Sequence, residues 1–441
     1  MRPLLLALIR ALVRALVRLY YPDRAVEGAE RIPAGRPLVF VLNHPNGLLD
    51  PMVLRVALGR PARFLAKATL FKNPLGRLAM DAFGSIPIHR AKESRPGDAS
   101  RNDESFARCR AELAAGGVLA LFPEGVSHSD SQLKPLKTGA ARIALSAEAE
   151  RDGQLNVAIV PVGLYYGRKS RFRSSVLLAV GEPIDVAPLL PEYQRDERAT
   201  VDALTDRIDE GLDAVVLQAE SRELLEGIAR VAKWISAPET GDDPAARHRR
   251  ARELAAAYSR LRARDPQRVE AIAAEVRAYT RALRRLGVRD PWALEAIAPG
   301  PGAVLAAVAR LLVAAPLAVI GAIMGWIPYR LAGEAAKLVS KDDDILGTVK
   351  LLAGTTFLAL AWAAEALLAG WFWGAAWAIP VFLLGVATGY VALRFDELLA
   401  EAAEAWRHVS LRAFHFQTAL RLSERRRALA EAVAKGLVDA R

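Results

Sequence analysis

His44 and Asp50 stand six positions apart on a turn-forming run, Asn43-His44-Pro45-Asn46-Gly47-Leu48-Leu49-Asp50-Pro51. Before them, residues 37–42 (Pro-Leu-Val-Phe-Val-Leu) read as a buried strand. Asp50, followed by Pro51 and an apolar run, reads as a helix N-cap with proline at the first helical position. The histidine therefore leaves a strand end, and the carboxylate stands at the next helix start. An alcohol is a poor nucleophile until something takes its proton. A neutral imidazole, with an ordinary pKa of roughly 6.5, can do so near neutral pH. A carboxylate on its second nitrogen would fix the tautomer and stabilise the imidazolium that forms. Taken alone, the pair fits equally well a helix cap beside a turn histidine.

Three downstream stretches add to it. Gly84-Ser85-Ile86-Pro87-Ile88-His89-Arg90 is a short apolar strand ending in a cation. A second apolar run, residues 119–122, closes on Pro123-Glu124-Gly125-Val126-Ser127. A third, residues 157–160, leads into Pro161-Val162-Gly163. Seen singly, Arg90 is a surface arginine, Glu124 a helix-start acid, and Pro161 with Gly163 a strand-edge turn.

In this order and spacing the four blocks resemble the glycerolipid acyltransferase superfamily (PlsC-like), whose pattern runs N-H-x4-D, G-x-I-x-I-x-R, F-P-E-G and V-P-V/I-G. The resemblance covers roughly residues 38–183. It departs at one point: five residues separate His44 from Asp50 here, where the family has four. The extra residue falls in the turn, where insertions are absorbed.

The resemblance implies a mixed α/β sheet flanked by helices. It makes His44 the general base and Asp50 its orienter. It implies a substrate-binding set of Asn43, Arg90, Phe122, Pro123, Glu124, Gly125, Pro161 and Gly163, beside which Lys137, a cation following the Glu124 block, is read from the sequence as lining a phosphate or coenzyme A groove. Arg90 would hold the acceptor's phosphate with its planar fork. Glu124 would meet the acceptor's hydroxyls, and Pro161 with Gly163 would shape the wall near the acyl chain. The implied partners are a lipid bilayer, an acyl thioester of coenzyme A or acyl carrier protein, and a glycerol-phosphate-type acceptor. That acceptor is glycerol 3-phosphate, dihydroxyacetone phosphate or 1-acylglycerol 3-phosphate. No bound cofactor and no metal are expected. The expected setting is a cell membrane, the bacterial inner membrane, with the catalytic domain on the cytoplasmic side. Two other readings stand beside this one: a phospholipid–lysophospholipid transacylase, and a non-catalytic lipid-binding protein retaining the fold.

Composition bounds the rest. The 441 residues suffice for two or three domains. The single cysteine excludes internal disulfides; Cys109 lies in a helix-like stretch, residues 104–115, and reads as a small buried hydrophobe. The six histidines are scattered, and with one thiol they show no zinc constellation. There is no G-x-S-x-G elbow, and no phosphate-cradling glycine loop of either common kind. A net charge of +11 suits nucleic acid or an anionic membrane. The 52% hydrophobic content, and arginines spread over helices, favour the membrane and not nucleic acid.

Five segments follow. Residues 1–24 read as an amphipathic interface helix, with Arg10, Arg14 and Arg18 on one face and leucines on the others. Residues 25–188 form the expected catalytic domain. Residues 189–298 are charged and helical, cut by a linker at 236–244, and are expected to pack on the catalytic domain as a hairpin. Residues 299–394 hold an apolar stretch at 303–330, which spans, re-enters or lies on the membrane, then a transmembrane hairpin of 351–373 and 374–393. Lys350 and Arg394 flank that hairpin, placing both its ends in the cytoplasm. Within it, Glu365 is expected to face the other helix. Residues 395–441 form a charged helical tail.

Overall fold

The computed structural model describes residues 2–89, 98–169, 171–235, 243–287, 301–339 and 343–439. Arg90 and most of the 236–244 linker lie outside them. The chain divides into two compact units: residues 1–225 with 342–348, and residues 226–341 with 349–441.

The first unit opens with α1 (Arg2–Tyr20) and β1 (Arg24–Glu27). Then come β2 (Leu38–Leu42), α2 (Leu49–Leu58), β3 (Arg63–Lys67), α3 (Pro74–Ala82), β4 (Ile86–Ile88), α4 (Asp98–Ala114), β5 (Val118–Leu121) and α5 (Gly139–Ala149). It closes with β6 (Ala158–Tyr166), β7 (Val176–Val180), β8 (Ile184–Asp185), α6 (Leu190–Arg195) and α7 (Glu197–Asp213). The sheet runs β1-β7-β6-β2-β5-β3-β4, with β8 pairing β6. Strands β4, β3, β5, β2 and β6 are mutually parallel, and β7 runs antiparallel to β6. All five residues of β2 are buried, the continuous apolar run that a strand covered on both faces requires. Because the central strands are parallel, their carboxyl ends share one edge. That edge receives His44 after β2, Glu124 after β5 and Tyr166 at the end of β6.

One face of the sheet packs Val39, Val41, Leu119 and Ile159 against Leu113 of α4, Ile143 and Leu145 of α5, and Leu204, Ile208 and Leu212 of α7. Full burial of such side chains is worth about 1.5–3 kcal/mol each, so α7 is an integral wall of this core. Helices α6 and α7 therefore lie beyond the boundary expected at 188 yet pack in this core, and the first unit runs to 225.

Helix α1 forms as expected but is not free on every side. It packs on α2 and α3, burying Val17 and Tyr20, and Arg2 pairs with Asp81 at 2.6 Å. Its outward stripe is leucine: Leu4, Leu5, Leu8 and Leu12 are exposed.

Two local expectations are corrected. Asp50 is not the N-cap: α2 begins at Leu49 after Leu48, and Asp50 lies inside the first turn. The Pro161-Val162-Gly163 block is not a turn after a strand but the middle of the nine-residue β6. Proline is tolerated there because β6 changes neighbours at that point, pairing β8 at residues 158–159 and β7 from residue 162. The Pro161 carbonyl faces the gap and accepts the Gly181 N–H at 2.8 Å.

The second unit holds α8 (Arg222–Ile235) from residue 226, α9 (Pro244–Arg264), α10 (Pro266–Arg285), α11 (Pro301–Val339), α12 (Asp343–Trp373) from residue 349, α13 (Ala378–Phe414) and α14 (Phe416–Asp439). Within this unit α9 and α10 pack on each other and both pack on α14. Arg425 pairs with Glu275 at 2.9 Å and Arg426 donates to the Trp234 carbonyl at 3.1 Å, so the tail is a packed helix. The 303–330 stretch is part of the 39-residue α11. Among the described residues, three helices (residues 304–338, 348–373 and 375–411) are long and apolar enough to cross a membrane.

Helices α11 and α13 run antiparallel. Arg310 lies 3.7 Å from Glu401, and a Cβ at Gly321 would sit 2.0 Å from the Thr388 carbonyl oxygen. Gly385 and Gly389 receive the Trp362 ring of α12 as closely, at 2.6 and 2.5 Å from the position of an added Cβ. Small residues spaced four apart let helix backbones touch in this way. Glu365 is half-buried, and its covered Oε2 has no hydrogen-bond partner among the described residues.

Candidate active site

Gly47 adopts φ 47°, and the Leu49 N–H returns to the Asn46 carbonyl at 3.0 Å. This tight turn folds the five intervening residues back. It sets Nδ1 of His44 2.8 Å from Oδ2 of Asp50. Asp50 is fully buried and does not stand on that contact alone. Its Oδ2 also accepts the Asn46 N–H at 2.8 Å, and its Oδ1 accepts the Tyr166 hydroxyl at 2.6 Å. A buried carboxylate needs such donors to remain charged. The His44 ring lies flat on Phe122, with centroids 3.8 Å apart and planes 12° off parallel. With Nδ1 engaged and one face covered, Nε2 is the nitrogen left for a substrate hydroxyl.

The Glu124 loop grips the main chain of His44 from both sides. Glu124 Oε1 accepts the His44 N–H at 3.3 Å, and the His128 N–H donates to the His44 carbonyl at 3.0 Å. Glu124 Oε2 accepts the Lys134 N–H at 2.8 Å and bonds His128 Nε2. Because His128 Nδ1 accepts from the Asp130 N–H at 3.2 Å, the ring proton sits on Nε2 and is donated to Glu124. Both carboxylate oxygens are thus occupied by protein donors, and Glu124 is buried. The expectation of a direct contact to acceptor hydroxyls meets a residue already committed to holding the histidine loop.

Among the other expected binding residues, the Asn43 amide pairs with the main chain of Leu164, donating at 3.1 Å and accepting at 2.7 Å. It extends the β2–β6 ladder by one side chain. The Pro123 carbonyl accepts the Lys137 N–H at 2.9 Å. Gly125 sits at φ 71°, and an added Cβ would lie 2.5 Å from Lys137 Nζ, so the lysine side chain crosses this turn. Pro161 packs on Gly211, whose added Cβ would meet it at 2.7 Å. A Cβ at Gly163 would lie 2.4 Å from the Val215 carbonyl oxygen. These two residues serve close packing of the α7 end against β6. The structure therefore brings together His44, Asp50, Phe122, Glu124, Gly125 and Lys137, with Asn43 behind them, while Arg90 lies outside the described residues.

Four participants are absent from the motif reading: Asn46, Tyr166, Tyr21 and His128. The Tyr21 hydroxyl accepts from the Asn46 side chain at 2.9 Å and donates to the Lys169 carbonyl at 2.7 Å. Its ring meets that of Tyr166 at 5.2 Å between centroids. The only signal for Tyr166 was a tyrosine ending a buried strand, three residues past Gly163. Cys109 is buried in α4, away from any nucleophilic role, and burial pushes its thiol up to about 12.

Residues 23–165 match the family model described as Acyltransferase. Over 125 residues the chain is 38% identical to glycerol-3-phosphate O-acyltransferase 2 of Saccharomyces cerevisiae, covering 28% of this chain and 17% of the yeast protein. Over 140 residues it is 31% identical to a chloroplastic 1-acyl-sn-glycerol-3-phosphate acyltransferase of Arabidopsis thaliana, covering 32% of this chain and 35% of the plant protein. Among solved structures it resembles the 1-acyl-sn-glycerophosphate acyltransferase PlsC of Thermotoga maritima. That likeness has a TM-score of 0.34 and 23% identity, over 47% of this chain and 80% of that one. The chain spans well under half the length of either curated relative described here.

Proposed function

We propose, from the premise that residues 23–165 form an acyltransferase-family domain, that the chain is a membrane-bound O-acyltransferase. It moves a fatty acyl chain from a coenzyme A or carrier-protein thioester to a hydroxyl of a glycerol-phosphate-type acceptor. The observation that carries this reading is the His44 Nδ1 to Asp50 Oδ2 contact of 2.8 Å, which leaves Nε2 for the acceptor. Nε2 takes the hydroxyl proton as the oxygen attacks the thioester carbonyl. The tetrahedral intermediate collapses, the C–S bond breaks, and the proton returns from Nε2 to the departing thiolate. Asp50 holds the imidazolium between the two transfers.

Glycerol 3-phosphate is the acceptor this reading favours. Its support is the 38% identity to a relative named for that acceptor, against 31% for one named for 1-acylglycerol 3-phosphate. Membrane attachment rests on the apolar helices of the second unit and on the exposed leucines of α1. The catalytic domain then lies on the cytoplasmic side, where acyl thioesters are made. The test supplies the full chain in vesicles with a labelled acyl thioester and, in turn, glycerol 3-phosphate, dihydroxyacetone phosphate and 1-acylglycerol 3-phosphate. Labelled monoacylated product from glycerol 3-phosphate is expected. Thiol release with none of the three overturns the reading.

A further inference from the structure

We infer that Tyr166 is a positioning residue of the acyl-transfer site, donating its hydroxyl to Asp50 so that the carboxylate stays ionised and keeps the proton of His44 on Nδ1. The inference rests on the proposed function, and it adds a residue that the four sequence blocks do not contain.

The geometry is specific. Asp50 is fully buried, and its two oxygens have separate donors. Oδ2 faces His44 and the Asn46 N–H, while Oδ1 faces the Tyr166 hydroxyl at 2.6 Å. Without that hydroxyl, Oδ1 would be a buried, negatively charged acceptor with no described partner. Tyr166 reaches it because β6 lies directly beside β2 and is long enough to carry residue 166 past the strand end that holds His44. The Tyr21 ring, at the end of α1, backs Tyr166 and braces Asn46. Burial first, then the charge of Asp50 and the neighbouring Tyr21, drive the Tyr166 hydroxyl well above its ordinary value. It is therefore a permanent donor, never a competing anion.

The sign of the pH effect follows without assigning protons to either partner. Among the described residues, the titratable groups around the pair are Tyr166 from β6, Tyr21 from the α1 end, Glu124 and His128 from the loop after β5, and Lys169, whose Nζ lies 3.4 Å from the Pro45 carbonyl. The active form of the pair has neutral His44 and ionised Asp50. A donor to Asp50 stabilises that form more than any protonated one. Removing the donor must raise the first protonation of the pair, so the acid limb of kcat moves to higher pH.

The experiment compares the wild-type full chain with Tyr166→Phe, using the acyl thioester and glycerol 3-phosphate. Expected are a loss of about 10- to 100-fold in kcat, an unchanged KM for both substrates, and an acid limb displaced upward. In an Asp50→Asn background the Tyr166→Phe effect should vanish, because Tyr166 acts through Asp50. Should Tyr166→Phe fold poorly, 3-fluorotyrosine at position 166 keeps the shape and strengthens donation, and the limb should then move down. An unchanged limb in both variants, or an equal loss with Asn at 50, overturns the inference. Failure of the functional reading is separate: the wild-type chain itself would release no thiol.

Discussion

The buried carboxylate of Asp50 reaches back across five residues to bond Nδ1 of His44 at 2.8 Å, on the same Oδ2 that accepts the Asn46 N–H at 2.8 Å. The second bond explains how the longer spacing works. The extra residue is taken up in a turn with Gly47 at positive φ, and the carboxylate closes that turn from inside the helix. A carboxylate serving as an N-cap would have spent its oxygen on the helix's first N–H groups. Here it is free for the imidazole and the turn.

Replacing His44 with alanine should lower acyl transfer by about 10²–10⁴-fold. The fold should survive, because the Glu124 loop holds His44 through its main chain and Asp50 keeps its Asn46 and Tyr166 donors. Vesicle binding should be unchanged. Turnover near the wild-type rate would remove the general base from the mechanism.

Glu124→Gln separates a loop clamp from a substrate contact. The amide nitrogen would face the donors Lys134 N–H and His128 Nε2–H, a mismatch costing about 1–3 kcal/mol. Melting temperature and kcat should fall together, with the KM for glycerol 3-phosphate within about twofold. A large rise in that KM at unchanged melting temperature would assign Glu124 to the acceptor's hydroxyls instead.

The parts legible in the sequence were those set by short range. The apolar runs before His44, before Pro123 and before Pro161 announced β2, β5 and β6. The turn residues around His44 announced the site. Tyr166 and Tyr21 were not legible because their roles depend on strand order: β6 beside β2 and β1 beside β7, pairings that no local pattern encodes. Helix α7 shows an apolar face, but periodicity does not say which core that face covers, and only the folded chain packs it on this sheet. The middle of β6 is not legible in the sequence because Pro161 and Gly163 read as breakers, and only the change of neighbouring strands makes them compatible with a sheet.

Cys109 should be silent to alkylation in the native protein. Burial holds its thiol neutral up to about 12, so at pH 8 there is no thiolate and no access. A maleimide should modify nothing until denaturant is added, then one site per chain, with acyl transfer unaffected beforehand. Rapid labelling of the folded chain would contradict the placement of α4 in the core.

That silence makes topology measurable with single introduced cysteines. Helices α10 and α14 pack on each other through the Arg425–Glu275 pair, so residues 287 and 416 lie on one side of any bilayer. The chain between them must cross an even number of times. The antiparallel α11–α13 contact, with Arg310 beside Glu401, puts the start of α11 and the end of α13 at that same side. Cysteines placed at exposed Arg281 and Arg421 should therefore react from the same face of sealed vesicles. A cysteine at Ala376, just before α13, should react only from the other face. Labelling of 281 and 421 from opposite faces would demand an odd number of crossings and break the α10–α14 packing. Labelling of 376 together with the other two would mean that α13 enters the bilayer without crossing it.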